Sequence, residues 1–265
     1  MIEQFLRKNP VFTFDSFVNY ISKGSEPKSI YTIKASLTHH IKQGHIVRIK
    51  QGLFASIPYG VEAAHYPINP YLIASFAAPD AILSYHTALS YYQTAYSISY
   101  RFTFLSVHRI RPFHFRNDSF QRVGFPKPLA VKNQTNAYVN TTDIQGKSVK
   151  ITSIERTLVD ILDKPTLGGG WEEIWRSLDM LERIKVENVI NYALLLNSTR
   201  TIGILGYYLE QKQKILNIEK KHLQILQKHR PIAPSYISKD AKKGKYNSDW
   251  NIIIPRELAE QNWKE

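Results

Sequence analysis

Basic and hydrogen-bonding side chains recur between residues 28 and 51 at spacings that suit recognition of a nucleic acid. Lysine and arginine pair with phosphate oxygens, whereas hydroxyl, imidazole and amide groups can reach the edges of bases. A small residue among them, Ala35, would let a helix axis approach the floor of a groove. The residues predicted to bind DNA are Lys28, Thr32, Ser36, His39, Lys42, Arg48, Lys50 and Gln51.

Most of these side chains need a helix to present them. An apolar stripe at helical spacing predicts a helix over 29–43, with Ser29 as its N-cap and Gly44 after its end. A step of about 100° per residue places the polar residues on the opposite face. The stripe predicted to be buried consists of Ile30, Ile33, Leu37 and Ile41.

A β-hairpin is predicted directly after this helix, because the runs HIVRIK and LFASI flank a turn that contains glycine. Alternation along the first run places Arg48 and Lys50 on one face. Two shorter helices precede, near 2–7 and from 13 or 15 to 22. Three helices and a hairpin in this order predict a winged helix-turn-helix over 1–57.

Composition favours a polyanionic partner, and the absence of cysteine limits the catalytic and metal-binding chemistry that the chain can perform. The 265 residues carry a formal net charge of +13, and residues 1–57 hold eight Lys and Arg against three Asp and Glu. Such an excess favours nucleic acid, here double-stranded DNA. The absence of cysteine excludes disulfides, thiolate catalysis and cysteine-ligated metals. We expect neither a metal nor another cofactor.

The predicted fold class is α+β, with the winged helix-turn-helix followed by a larger mixed domain. Residues 58–69 contain prolines and a glycine without periodicity, which indicates a linker. The larger domain is placed at 70–230, with an antiparallel sheet formed between 99 and 153 and a helical C-terminal part. Residues 231–265 form a basic segment that we expect to be irregular and flexible. No run reaches membrane-spanning length and no leader is apparent, so we expect a cytoplasmic protein without a membrane partner.

A second basic surface is predicted in the strand-rich region, where basic and aromatic residues alternate. Such a pattern can bind a nucleic-acid backbone or an acidic partner while aromatic rings stack on bases. It can equally represent the two faces of a half-buried sheet. The residues proposed for this surface are Arg101, Arg109, Arg111 and Arg116.

Three phrases of the chain resemble the AbiEi antitoxin family of bacterial abortive-infection toxin-antitoxin systems. They are IVRIKQGLFA, then PYLIASFAAPDAILSYHTALSYY over 70–92, and ITSIERTLVDILDKP with GGGWEEI over 151–174. ERTLVD is the most specific of them. The resemblance covers most of residues 10–210; Phe54 stands where the family more often has Tyr, and the tail after 230 matches nothing in it.

The resemblance implies a transcriptional autorepressor that binds repeated sites in its own promoter through the winged helix. It further implies that the larger domain counters a partner toxin of the nucleotidyltransferase type. In this family toxin and antitoxin need not form a stable complex, so a direct complex is not implied. No enzymatic activity is expected of the chain itself.

The phrase ERTLVDILD predicts a helix whose apolar residues face a core. Arg156 and Asp160 are four positions apart and form an expected pair on the far side. The helix either anchors the core or contributes this pair to an interaction surface of the antitoxin domain. The residues predicted to be buried are Ile154, Leu158, Ile161 and Leu162.

Other motifs that can carry chemistry are incomplete. Ser84-Tyr85-His86 lacks a glycine elbow and a paired carboxylate, so nucleophilic catalysis is not expected. Gly168 to Gly170 are not followed by Lys-Ser or Lys-Thr, as a phosphate-binding P-loop requires. Two alternatives stay open: a stand-alone regulator that senses a ligand in the larger domain, and a metal-dependent nuclease. The nuclease would use Asp143, Glu155 and Asp160.

Overall fold

The computed structural model describes residues 2–23, 29–238 and 244–260, and these residues form an α+β fold with antiparallel and mixed sheets. The N-terminal elements are α1 (Ile2–Lys8), β1 (Val11–Thr13), α2 (Phe14–Ser22), α3 (Ile30–Lys42), β2 (Ile46–Lys50) and β3 (Leu53–Ser56). The middle of the chain forms α4 (Pro70–Phe76), β4 (Ile82–Leu83), α5 (His86–Tyr91), β5 (Arg101–Leu105), β6 (Phe113–Phe115), β7 (Asp118–Val123), α6 (Lys127–Val131), β8 (Val139–Ile144) and β9 (Lys147–Thr152). The remaining elements are α7 (Ile154–Asp163), a 3-10 turn (Pro165–Leu167), α8 (Trp171–Asp179), α9 (Val186–Leu196), α10 (Thr199–Gln211), α11 (Lys220–Gln227), β10 (Ser235–Tyr236), β11 (Lys245–Asn247), β12 (Ile252–Ile254) and α12 (Arg256–Glu260).

Two compact units divide the chain, and they do not follow the predicted linear order. The first unit comprises Met1–Leu83, Tyr100–Val123 and Thr141–Lys150; the second comprises Ser84–Ser99, Gly124–Asn140 and Ile151–Glu265. Neither the predicted boundary near Ile57 nor the end of the predicted linker at 69 separates these units. Strands from distant parts of the sequence share one sheet, so contacts group residues that chain order separates.

The N-terminal elements share a core because their apolar faces are small and complementary. Thr13 caps α2, with its hydroxyl accepting from the Ser16 N–H at 3.2 Å. Strands β1, β3 and β2 form an antiparallel sheet in that order. The rings of Phe5 and Phe12 meet edge to face at 5.1 Å between centroids. The buried core consists of Phe5, Leu6, Phe12, Phe17, Ile21, Ile33, Leu37, Ile46 and Phe54.

A six-stranded sheet has the order β6-β7-β5-β4-β9-β8. The pair β6–β7 is antiparallel, as the alternating pattern predicted. Strand β4 lies outside the predicted strand region 99–153 and also pairs antiparallel with β5, whereas β5 and β7 are parallel. The parallel pair arises because the hairpin β6–β7 reverses the chain once more before β7 joins β5. Prediction of a purely antiparallel sheet was therefore wrong for this pair.

The second unit is centred on α7, whose residues from Glu155 to Leu162 are all buried. Part of the predicted flexible tail is folded onto this unit: Trp250 is 0% exposed, and its indole N–H donates to Glu210 Oε2 at 2.9 Å. A Cβ on Gly206 of α10 would clash with the Trp250 ring, so that glycine admits the indole. The expectation of an irregular tail was wrong for 244–260, where β11, β12 and α12 form. Residues 239–243 and 261–265 lie outside the described ranges.

Candidate nucleic-acid interface

The outer face of α3 carries most of the predicted contact residues. Thr32, His39 and Lys42 are exposed, and Ser36 is half-buried, as is typical of a helix flank. The neighbouring small residue Ala35 is exposed as well. Ser29 caps the helix, its hydroxyl accepting from the Thr32 N–H at 3.1 Å. Lys28 lies outside the described residues.

The buried stripe of α3 is narrower than predicted. Ile33 and Leu37 are buried and Ile41 is half-buried, but Ile30 is 59% exposed. Ile30 begins the helix, one turn before Ile33 reaches the core, so its inclusion in the buried stripe was wrong. Its exposure shows that apolar type and spacing alone do not bury the first residue of a helix.

Two further residues of α3 lie exposed beside the predicted set. Tyr31 is 83% exposed, and Lys34 is exposed one turn further along the helix. Neither residue was among the predicted contact residues. At about 100° per residue Tyr31 lies on the side of the helix away from Ile33 and Leu37, whereas Lys34 lies on its flank.

The hairpin formed by β2 and β3 separates the two cations that alternation placed together. Arg48 is opposite Phe54, a core residue, so the exposed Arg48 side chain leaves the hairpin on the face of the helices. The ladder then shifts register between Arg48 and Lys50, as in a β-bulge. Gln51 is exposed in the turn, and Gly52 has a φ of +78° that suits glycine.

Lys50 is engaged within the first unit instead of standing beside Arg48. Its ammonium donates to the Ala77 carbonyl at 3.2 Å and lies 4.8 Å from the centroid of the Phe113 ring. Burial lowers the pKa of Lys50, since desolvation disfavours the charged form. The structure thus places Arg48, but not Lys50, on the face of the hairpin that the helices share.

Histidines at the end of α3 form a ring cluster with Tyr59. His45 lies 3.9 Å from Tyr59 and 5.9 Å from His40 between ring centroids. Burial, together with the nearby His39 and His45, lowers the pKa of His40. Within the described ranges, no group of three or more His, Cys, Asp or Glu residues could hold a metal ion.

The predicted second basic surface is divided between exposed and engaged arginines. Arg109 and Arg111 are exposed in the loop between β5 and β6, and Arg101 is exposed at the start of β5. Arg116 bonds to the carbonyls of Ala63 and Tyr66, the latter at 2.6 Å. These two carbonyls engage the Arg116 guanidinium, which leaves Arg109 and Arg111 as the best-placed pair.

Asp80 holds the base of the loop that carries Arg109. Its carboxylate accepts from the Ser106 hydroxyl at 2.5 Å and from the Val107 N–H at 2.7 Å, and it lies 2.9 Å from His108 Nδ1. Burial raises the pKa of Asp80, but hydrogen bonds from Ser106, Val107 and His108 outweigh it and hold the pKa below its ordinary value. Hydrogen bonds to the Asp80 carboxylate therefore hold the start of this loop in place.

Arg156 and Asp160 do not form an interaction surface, because both side chains are buried, at 0% and 1% exposure. Arg156 Nε donates to Asp160 Oδ2 at 3.2 Å, and its Nη1 donates to the carbonyls of Thr135 and Ala137. The Tyr192 hydroxyl donates to Asp160 Oδ1 at 2.6 Å. Helical spacing correctly paired the two residues, but packing surrounds α7 and leaves it no outer face.

The motifs Ser84-Tyr85-His86 and Gly168 to Gly170 meet in the second unit. His86 Nε2 lies 3.0 Å from Glu173 Oε1, which also accepts from the Ser97 N–H at 3.0 Å. A Cβ on Gly169 would clash with Glu173, and its φ of +93° is typical of glycine. This arrangement positions the start of α8.

The carboxylates considered for a nuclease have structural partners. Asp143 accepts from the Gly146 N–H at 3.0 Å in the β8–β9 turn. Glu155 accepts from the Lys185 N–H at 3.2 Å, and Asp160 is buried against Arg156. Each of the three therefore has a hydrogen-bond or ion-pair partner within the protein.

The fold defines an α+β protein, and comparison with known proteins adds a likeness to a solved structure. No family model matches the chain, and no curated protein matches it. The crystal structure of the RV2827C protein from Mycobacterium tuberculosis is similar, with a TM-score of 0.62, 16% sequence identity, and coverage of 99% of this chain and 93% of that chain. At this identity the likeness concerns the fold alone. None of the helices in the described ranges is long and apolar enough to cross a bilayer.

Proposed function

We propose that this protein is a DNA-binding regulator whose N-terminal elements act as a winged helix. In this proposal α3 enters the major groove and the hairpin of β2 and β3 is the wing that follows a phosphate backbone. The observation that carries it is that Arg48 is exposed on the face of the hairpin that the helices share, while α3 exposes Thr32, His39 and Lys42. Neither α3 nor the hairpin contains an acidic residue.

The partner follows from this chemistry. Cations on the helix and the wing suit phosphates, and the hydroxyl and imidazole groups of α3 suit base edges. The net charge of +13 supports long-range attraction to DNA. In agreement with the AbiEi resemblance, the binding sites would be repeats in the promoter of its own gene, and binding would repress transcription.

An electrophoretic shift with the DNA upstream of its own gene tests the proposal. We expect a specific complex that weakens steeply with salt, and a weaker complex for Arg48→Ala. Lys214→Ala, an exposed lysine of the second unit, serves as the matched control. Absence of any retarded complex at low salt would refute DNA binding.

We further propose that the larger domain acts as an antitoxin, without enzymatic activity, against a nucleotidyltransferase toxin. Support for this role comes from the phrases over 70–92 and 151–174 that resemble AbiEi antitoxins. Co-expression with the product of the adjacent gene is the direct test. Rescue of growth by both the native chain and Arg48→Ala is expected, since the wing is assigned to DNA and not to the toxin. Failure of the native chain to rescue growth would favour a stand-alone regulator.

A further inference from the structure

A cleft of about 520 Å³ lies in the first unit against the turn of the N-terminal hairpin. Its walls come from the start of α2, the turn from Lys50 to Leu53, the C-terminal end of α4 and strand β9. A cavity of several hundred Å³ is the size that encloses a small organic molecule. We call it the hairpin cleft.

One lysine inside the hairpin cleft is a half-buried cation that forms no ion pair with the described residues. The Lys50 ammonium has three N–H donors, and it donates to the Ala77 carbonyl at 3.2 Å. Across the residues that the structure describes, the ion pairs do not include Lys50. Desolvation lowers its pKa, and a half-buried charge is costly unless an anion compensates it. An anionic group in the cleft would supply that compensation.

The rest of the lining fits an amphipathic anion. Lys150 of β9 is exposed and lines the same cleft, so it offers a second cation. Phe76 is half-buried and Pro79 is exposed, and both contribute apolar surface, while Asp15 is the acidic residue of the lining. A lone phosphate would leave the apolar part uncovered. A larger molecule with an anionic head and an apolar body would cover both.

We propose that the hairpin cleft binds a small organic anion, with its phosphate or carboxylate on Lys50 and Lys150 and its apolar body against Phe76 and Pro79. The bound molecule would also touch Gln51 and Gly52, the turn of the hairpin. Occupancy therefore alters the position of the wing. That regulatory consequence rests on the proposed function, whereas the binding itself does not.

Amide chemical-shift titration of the whole chain at constant ionic strength tests the binding. The probes are phenyl phosphate, inorganic phosphate and uncharged phenol. We expect saturable shifts at Gln51, Gly52 and Ala78 with phenyl phosphate, weaker ones with inorganic phosphate and none with phenol. Loss of one charge-assisted hydrogen bond in Lys50→Met should weaken phenyl phosphate about tenfold. Lys214→Met, in the second unit, should leave the affinity unchanged.

Lys150→Gln gives a second variant that alters an exposed side chain and spares the packing around Lys50. A tenfold loss in either cleft variant supports the proposal. Unchanged affinity in both, shifts spread over other basic residues, or the absence of saturable shifts in the millimolar range overturns it. Titration of the DNA complex with phenyl phosphate then measures the coupling. Saturable binding to a protein that retards no DNA would uphold the cleft and refute the proposed function.

Discussion

Arg48 lies directly opposite Phe54 in the ladder between β2 and β3, and Phe54 packs into the N-terminal core. Directly opposed residues project from the same face of a sheet, so Arg48 shares the side of the helices. Lys50 does not, because the register shifts between the two residues. One cation therefore lies on the helix side of the hairpin, whereas alternation placed both cations together on one face.

Replacing Arg48 should affect DNA binding more than replacing Lys50. Arg48→Ala removes one exposed phosphate contact, which should reduce the slope of log affinity against log salt by about 1. Lys50→Ala should reduce that slope less, since its ammonium bonds to the Ala77 carbonyl. Fluorescence anisotropy across a salt series measures both. A larger slope change for Lys50→Ala would contradict the assignment.

The loop between β5 and β6 should add phosphate contacts if the second basic surface binds the same duplex. Arg109→Gln with Arg111→Gln should reduce the salt slope by about 2 and weaken all DNA sequences alike, because phosphate contacts carry no base information. The matched control is Lys214→Gln with Lys220→Gln, two exposed lysines of the second unit. If the two double variants show equal salt slopes, Arg109 and Arg111 do not contact the DNA.

Acid should release the loop that Asp80 holds. Since hydrogen bonds hold the pKa of Asp80 below its ordinary value of 3.8, its stabilising effect is present above that value and is lost as pH falls through the lower pKa of the folded state. We expect the stability difference between the native chain and Asp80→Asn to be constant near neutrality and to shrink in acid. Urea unfolding from pH 6 to pH 2.5 measures it. A stability difference that grows on acidification would contradict a lowered pKa of Asp80 in the folded state.

Loss of the buried arginine should strongly destabilise the second unit. Arg156→Met leaves the Asp160 carboxylate buried without its cation, which costs about 3–5 kcal/mol. Arg7 and Glu3 form an exposed pair at the same spacing, with side chains 77% and 52% exposed, and Arg7→Met should cost less than about 1 kcal/mol. Urea denaturation compares the two variants. Similar costs would mean that burial of the pair is unimportant.

Alanine at Gly206 should disturb the packing of the C-terminal segment. Its Cβ would meet the Trp250 ring, and overpacking costs about 1–3 kcal/mol, more than the gain in helix propensity of about 1 kcal/mol. A smaller side chain at position 250 should relieve the clash. The double variant Gly206→Ala with Trp250→Leu should therefore lose less free energy of unfolding than the sum of the two single variants. If the two losses of unfolding free energy simply add, the side chains at positions 206 and 250 are not in direct contact.

The amino-acid pattern by itself determined the order of the three N-terminal helices and the hairpin, but not strand β1, whose partner β3 lies about 40 residues further along the chain. Helical periodicity located α3, Ser29 and Thr13 are the observed N-caps of α3 and α2, and the glycine turn located the hairpin. These features depend on neighbours within a few residues, which is why local spacing predicts them. The exposure of Thr32, His39 and Lys42 followed from the same periodicity.

Only the tertiary structure decided which charged groups are exposed. Arg156 and Asp160 have the spacing of a surface pair, yet elements far along the chain bury them. Lys50 left the face of Arg48 because the ladder shifts register and the Ala77 carbonyl accepts from it. The Trp250 ring packs against α10 at Gly206, so part of the basic tail lies on this helix. Long-range packing sets the solvation of a charge, and local sequence does not encode that packing.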